Sequence, residues 1–158
     1  MNVRRKDRER TEEFALSVVD KCEYAVMSVV LEDGSPYGVP LSIARDGEFI
    51  YFHCAQEGRK TDALKENSRV CLSCVGDTHR LEDEFSTEYE SAAVFGTAEP
   101  VLQDEEKIHA LRLICRRHTP MNMENFDQAI EMSLKRTAIW RIRIDQITGK
   151  AKKRKQIK

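Results

Sequence analysis

The sequence predicts a mixed, sheet-dominated fold (α+β), a small antiparallel barrel with helices at its periphery. Short runs of apolar, β-branched and aromatic residues succeed one another and are punctuated by Asp33-Gly34 and Asp46-Gly47, dipeptides that favour hairpin turns. Helical spacing of apolar residues is confined to a few short segments. At 158 residues, with no internal repeat or low-complexity linker, the chain is long enough for one domain that buries about two thirds of its unfolded surface. Hairpin-connected strands dispose of their edges by closing on themselves, hence the barrel.

Along the chain, Thr11 is placed to cap a helix whose first turn holds Glu12 and Glu13, and Phe14, Val18 and Cys22, with Ala15 and Val19, form one apolar stripe. Tyr24 to Leu31 predicts a strand, Tyr37 to Arg45 a second and Phe49 to Ala55 a third, together an antiparallel meander. Pro40 lies in the middle of the second strand and cannot donate to a ladder. That strand therefore lies at an edge, is bulged, or faces a ligand instead of another strand. Strands at Val70 to Val75 and Ser91 to Glu99 flank a polar, acidic segment, 76–90, that reads as a loop or lid. Ile108, Leu111, Cys115 and His118, then Phe126, Ile130 and Leu134, recur at helical spacing. Finally Ala138, Trp140, Ile142 and Ile144 alternate with Ile139, Arg141, Arg143 and Asp145, as in a strand with one buried face. Trp140 suits the core or a dimer interface better than a stacking platform.

The chemistry concentrates between Phe49 and Asn67. A buried strand ends at Ala55, Gln56-Glu57-Gly58 breaks it, and the helix formers Ala63, Leu64, Lys65 and Glu66 follow. Arg59 and Lys60 fall at the positive end of that helix, where cations are destabilising by roughly 0.3–1 kcal/mol each. A bound anion reverses the sign. Free first-turn N–H groups, Gly58 allowing close approach and two cationic side chains make a phosphate cradle; a solvated Arg-Lys pair is the alternative. His53, a few residues earlier, lies where the body of a phosphorylated ligand would lie, although a histidine satisfied by backbone fits equally.

Charge and motifs exclude other classes. Residues 1–10 and 150–158 hold 11 of the 26 basic residues and 2 of the 27 acidic ones, so the body between them carries a net charge of −10. Such a body does not offer a general nucleic-acid face, and the basic ends read as solubilising tails, with docking arms the alternative. The boundaries expected are a basic N-terminal arm, 1–10, a domain, 11–150, and a basic C-terminal tail, 151–158. The first ten residues lack the apolar core of an export signal, and no run approaches about 18 apolar residues, so a cytoplasmic location is expected. Five cysteines, an odd number, suit reduced thiols. Cys71 and Cys74 form a C-x-x-C inside a strand, where residues three apart point to opposite faces, so neither a zinc knuckle nor a redox dithiol is expected. The four histidines lack ligand spacing and no metal site is expected. There is no G-x-G-x-x-G, Walker loop, G-x-S-x-G or H-E-x-x-H.

Pro36-Tyr-Gly-Val-Pro-Leu-Ser-Ile43, then Tyr51-Phe-His-Cys-Ala55 and Gly58-Arg-Lys60 with Ala63-Leu64, resemble the FMN-binding split barrels of the pyridoxamine 5'-phosphate oxidase-like superfamily, most nearly its nitroimidazole-resistance (nitroimidazole reductase) branch. Val70-Cys-Leu72, Phe85 to Ser91 leading into Phe95-Gly96, Trp140-Arg-Ile142 and Thr148-Gly-Lys150 extend the likeness over nearly the whole chain. The resemblance implies a homodimer with FMN at the subunit interface. Val39, Pro40, Leu41 and Ser42 would run beside the flavin ring, His53, Cys54 and Ala55 would line the ring and ribityl chain, and Gly58, Arg59 and Lys60 would hold the phosphate. It implies reduction of a small acceptor, nitroaromatic or quinone-like, with electrons from NADH or NADPH and His53 near the reacting ring. A flavin-storage protein is the second reading, and a basic-tailed nucleic-acid-binding module the third. Glu90 departs from the basic residue expected there in that branch, which bears on the substrate and not on the cofactor. Flavin carries the difficult chemistry, so the absence of a catalytic triad is no obstacle.

Overall fold

The computed structural model describes residues 3–154. In chain order they form β1 (Glu9–Arg10), α1 (Glu12–Lys21), β2 (Ala25–Val30), β3 (Pro36–Leu41), β4 (Ile43–Asp46), β5 (Phe49–Ala55), α2 (Arg59–Glu66), β6 (Arg69–Leu81), β7 (Ser86–Pro100), α3 (Asp104–His118), α4 (Phe126–Ser133) and β8 (Thr137–Lys152). All strand pairs are antiparallel, in the order β3-β2-β6-β7-β8-β5-β4, with β1 added on β8. The α+β barrel with outlying helices is what the hairpin pattern predicts.

The first three predicted strands are not a simple meander. The segment read as one strand from Tyr37 to Arg45 is two, broken at Ser42: β3 pairs with β2, β4 pairs with β5, and β3 and β4 therefore stand at opposite ends of the sheet order. One continuous stretch of chain thus bridges both ends of the curled sheet, leaving a split beside Ser42. Pro40 is tolerated because β3 pairs only with β2 among the described residues.

The acidic segment 76–90 is a hairpin, not a loop. β6 continues to Leu81 and β7 begins at Ser86, with ladder pairs from Thr78↔Tyr89 to Leu81↔Ser86 beyond a register shift after Val75. Its alternation is obscured in sequence because its side chains are mostly polar and largely exposed; Leu81 is buried, while Phe85 at the turn is fully exposed. Two basic stretches read as tails are also partly built in. Val3 is buried, β1 pairs with Gly149 and Lys150, and β8 runs on to Lys152 with Ala151 buried. Residues 1–2 and 155–158 of those segments lie outside the described residues.

Two apolar clusters organise the packing. Inside the barrel, Met27, Ile43, Ile50, Phe52, Leu72, Val94, Trp140 and Ile142 meet Val18 and Val19 of α1 and Leu64 of α2. Thr11 caps α1, its Oγ1 accepting from the Phe14 N–H at 3.3 Å. Outside, α3 and α4 cover β4, β5 and β8 through Leu111, Ile114, Phe126, Tyr51 and Ile139. Ile139 and Trp140 are consequently buried on opposite faces, and β8 there has two buried faces in place of the expected one. Trp140, 5% exposed, is core and not subunit surface. At the β7–β8 register shift, a Cβ on Gly96 would come within 2.3 Å of the Arg143 carbonyl oxygen, so only glycine fits.

Candidate functional site

The β4–β5 ladder ends at Ile43↔Phe52. One further step would set Ser42 opposite His53; instead the chain leaves β5 at Ser42 and joins β2 as β3. β3 and the last residues of β5 therefore part at Ser42. Beyond Ala55 the chain passes through Gly58 into α2, so the helix N-terminus faces the same end of the molecule.

Strand alternation divides the predicted residues. Leu41 is buried, and with half-buried Val39 and Cys54 it packs against the barrel interior. These three back the exposed side of both strands from within the barrel. Pro40, Ser42, His53 and Ala55 are exposed on the other side of the same strands. The outer edge of β3 keeps unpaired backbone groups among the described residues, and Pro40 removes one donor from that strand.

Gly58 is the N-cap of α2 with φ +141°, a backbone conformation that side-chain-bearing residues rarely adopt, and nothing lies within 4 Å of where its Cβ would be. Thr61, 2% exposed, donates from Oγ1 to the Gly58 carbonyl at 2.7 Å and Asp62 N–H donates to it at 3.0 Å, so the glycine carbonyl is held. Among the described residues no side chain caps the first turn, in contrast to α1. Its N–H groups are free to meet an anion. Neither Arg59 nor Lys60 has a carboxylate partner among the described residues. The Arg59 guanidinium lies 5.8 Å from the Tyr37 ring centre and the Lys60 ammonium 5.3 Å from that of Phe52.

The imidazole of His53 has its pKa lowered from 6.5, by desolvation first, then by the charges of Lys60 and His118. It is therefore neutral at pH 7. Burial raises the Cys54 thiol pKa, so this cysteine is no nucleophile at neutral pH. Sequence reasoning did not assign His118 to this region. Its Nε2 donates to the Ile43 carbonyl at 2.9 Å, tying the end of α3 to β4 next to the split. The two histidines lie 65 positions apart, and only the β4–β5 register brings them together. Tyr37 and Phe52, which hold the two cations, also carried no sequence signal of that role.

Other singled-out groups lie elsewhere. Glu90 is ion-paired with Lys21 at the base of the long hairpin, and Lys21 also holds Asp77 at 2.6 Å. Cys71 and Cys74 point to opposite faces of β6, as expected. Cys74 instead lies with Cys22, and that neighbour, together with Arg117, lowers the Cys22 pKa. The Arg117 guanidinium also donates to the Val19 and Cys22 carbonyls at 2.9 and 2.5 Å, closing the C-terminus of α1. Among the described residues no helix is long and apolar enough to cross a membrane.

Comparison with solved structures finds the same fold in proteins of low identity. A protein described as a candidate 5-nitroimidazole antibiotic resistance protein, from Bacteroides thetaiotaomicron, is 24% identical, with 90% of this chain and 84% of that one covered and a TM-score of 0.74. A flavocytochrome from Azotobacter vinelandii is 22% identical over 97% and 73% of the two chains, TM-score 0.82. The FAD- and heme-binding protein from Mycobacterium smegmatis is 23% identical over 93% and 74%, TM-score 0.79. A search of the curated proteins gives no match. The family described as pyridoxamine 5'-phosphate oxidase matches residues 11–151, from the cap of α1 to the penultimate residue of β8. That span takes in every strand of the split and the whole cradle, and the chain belongs to the pyridoxamine 5'-phosphate oxidase family.

Proposed function

We propose that this chain is a flavin-dependent oxidoreductase that holds the flavin phosphate at Gly58, Arg59 and Lys60 and the ring beside β3. The observation that carries this is an uncapped helix N-terminus bearing two cations that, among the described residues, have no carboxylate partner, next to a strand edge that has no neighbour among them. FMN is the smallest flavin with the required phosphate. The names of similar structures, which mention FAD binding, a flavocytochrome and an F420 reductase, favour the same class of chemistry.

When bound, the flavin supplies hydride transfer from NADH or NADPH and onward reduction of a small nitroaromatic or quinone-like acceptor. The chain's residues orient and shield. First-turn N–H groups and the two cations neutralise the phosphate. Pro40 and Ser42 offer the exposed face of β3, while Val39, Leu41 and Cys54 hold both strands from within the barrel. His53, neutral at pH 7, carries one N–H and one lone pair, and can donate or accept one proton at the open face of β5. Ala55 leaves that face clear between His53 and the cradle.

A second subunit completes the site in this reading. The outer face of β2 and β6 presents Val30 and Val75, with Tyr24 just before β2, at 45, 55 and 57% exposure, a surface suited to pairing with another copy. The test is a visible spectrum of protein loaded with FMN, followed by stopped-flow bleaching with NADH and NADPH and reoxidation by candidate acceptors. If neither nucleotide reduces the flavin and chemically reduced protein passes electrons to none of the acceptors, flavin storage is left as the function.

A further inference from the structure

Away from the cradle, the segment before β1, the last residues of β8 and the β6–β7 turn line a groove of about 610 Å³, within the range of small-ligand sites. Leu81 and Ala151, both buried, form its floor. It shares no residue with the cradle. Thr137, which pairs with Ala55, and Lys152 stand at opposite ends of the 16-residue β8, about 50 Å apart along the strand at 3.3 Å per residue.

The walls of this groove carry more positive charge than they neutralise. Six cations line it against two carboxylates. Asp7 is held by Arg5 at 2.6 Å and Glu84 by Arg154 at 3.1 Å, so both carboxylates are already engaged. Arg8, Arg10, Lys152 and Lys153 remain. Arg8 Nε reaches Asp7 only at 4.0 Å, and the same guanidinium donates to the Tyr89 hydroxyl at 3.3 Å. Arg10 donates to the Asp7 and Glu9 carbonyls at 3.4 and 2.8 Å, and Lys152 to the Ser86 hydroxyl. Lys153 is exposed and has no ion-pair partner among the described residues. Neutral oxygens orient the first three cations without cancelling their charge. On a chain whose body carries a net charge of −10, four such cations in one groove focus positive potential.

We infer that this groove binds a small polyphosphate, an inorganic or nucleoside di- or triphosphate. The inference does not depend on the flavin reading. A chain of two or three phosphates carries about three to four negative charges at neutral pH, its terminal phosphate alone about two, which matches the four cations left over. The guanidinium groups of Arg8 and Arg10 offer paired donors to phosphate oxygens, and the two lysines act as point charges. A polynucleotide fits less well. It would run past the groove onto Glu82, Asp83 and Glu84, three exposed carboxylates in succession at the hairpin turn, which repel a continuing phosphate backbone. A compact polyphosphate stays within the groove and fastens the segment before β1 to the end of β8.

Calorimetric titration of the full chain with sodium triphosphate, orthophosphate and a short single-stranded oligonucleotide tests this, alongside melting curves. Triphosphate should bind at least about tenfold tighter than orthophosphate, because its added charges meet added cations, and should raise Tm. The double variant Arg8→Gln, Lys153→Gln should bind triphosphate at least about tenfold more weakly and lose the rise in Tm, whereas Arg59→Ala, Lys60→Ala should bind it as the wild type does. Lys153→Gln alone, which removes an exposed side chain, should keep the wild-type melting curve without ligand and still weaken triphosphate several-fold. Equal affinities for triphosphate and orthophosphate, or triphosphate binding unmoved by the groove substitutions, overturn the assignment. Loss of triphosphate binding in the Arg59, Lys60 variant places the ligand in the cradle and overturns it as well. An oligonucleotide that binds tighter than triphosphate makes this face a nucleic-acid surface instead.

Discussion

Replacing Arg59 and Lys60 by alanine measures the cradle directly. A charge-assisted hydrogen bond to phosphate contributes about 1.5–3 kcal/mol. Each cation, however, must first leave an aromatic ring, Tyr37 for Arg59 and Phe52 for Lys60, and such a contact contributes about 0.5–1 kcal/mol at an exposed site. The net is about 1–2 kcal/mol each, or roughly 5- to 30-fold in the dissociation constant. Arg59→Ala and Lys60→Ala should each weaken FMN by about tenfold, and the double variant by about a hundredfold if the two act independently. Riboflavin, lacking the phosphate, should bind wild type and double variant alike. Fluorescence titration of flavin into the three proteins gives the numbers. Equal FMN affinity of wild type and double variant would refute the cradle, and equal losses for FMN and riboflavin would show that the substitutions disturb the ring site instead.

The His53 ring, followed by NMR, should titrate below 6.5, and Lys60→Ala should raise its pKa by removing the second-ranked cause of the shift. Because folding favours the neutral ring, its contribution to stability is complete above pH 6.5 and is lost as pH falls from there through the depressed folded pKa. His53→Ala should lower acceptor turnover by about 10²–10⁴-fold at most and spare most flavin affinity; a larger fall in turnover would make it indispensable to hydride transfer. Ending the chain at Lys150 removes buried Ala151 and the ladder pairs Glu90↔Ala151 and Tyr89↔Lys152, costing about 1–2 kcal/mol and several degrees of Tm; an unchanged melting curve would refute this. Gly96→Ala should cost at least about 1–3 kcal/mol in a denaturant titration, since the obstacle is a carbonyl oxygen and not a flexible side-chain tip. Light scattering of the flavin-loaded protein should give twice 18.2 kDa.

What the sequence made legible was local. Thr11 announced α1, Asp46-Gly47 the turn into β5, and Gly58 with the helix formers after it the start of α2; each is a signal within a few residues of the structure it specifies. The break at Ser42 was not legible, because β3 and β4 read as one extended run and only their different partners, β2 and β5, separate them. The tip of the β6–β7 hairpin failed for a related reason: a ribbon exposed on both faces has no apolar alternation to detect. In the site, the cations were visible from helix electrostatics, but the rings beneath them and the approach of His118 depend on tertiary register. Val39, Leu41 and Cys54 were assigned to the site by position, whereas strand parity turns their side chains inward.

The pairing of β5 carries a kinetic consequence. On one side β5 meets β4 within a few residues, but on the other it meets β8, Phe52 lying opposite Trp140 nearly ninety positions downstream. The strand that leads into the cradle therefore cannot be locked until the last strand of the barrel has been synthesised and docked, and closing so long a loop slows folding. Before that moment the β4–β5 hairpin is anchored along one edge only, with Phe52 and Tyr51 still seeking their cover. Flavin added during refolding should then leave the early, hairpin-forming phase unchanged and trap only the final one.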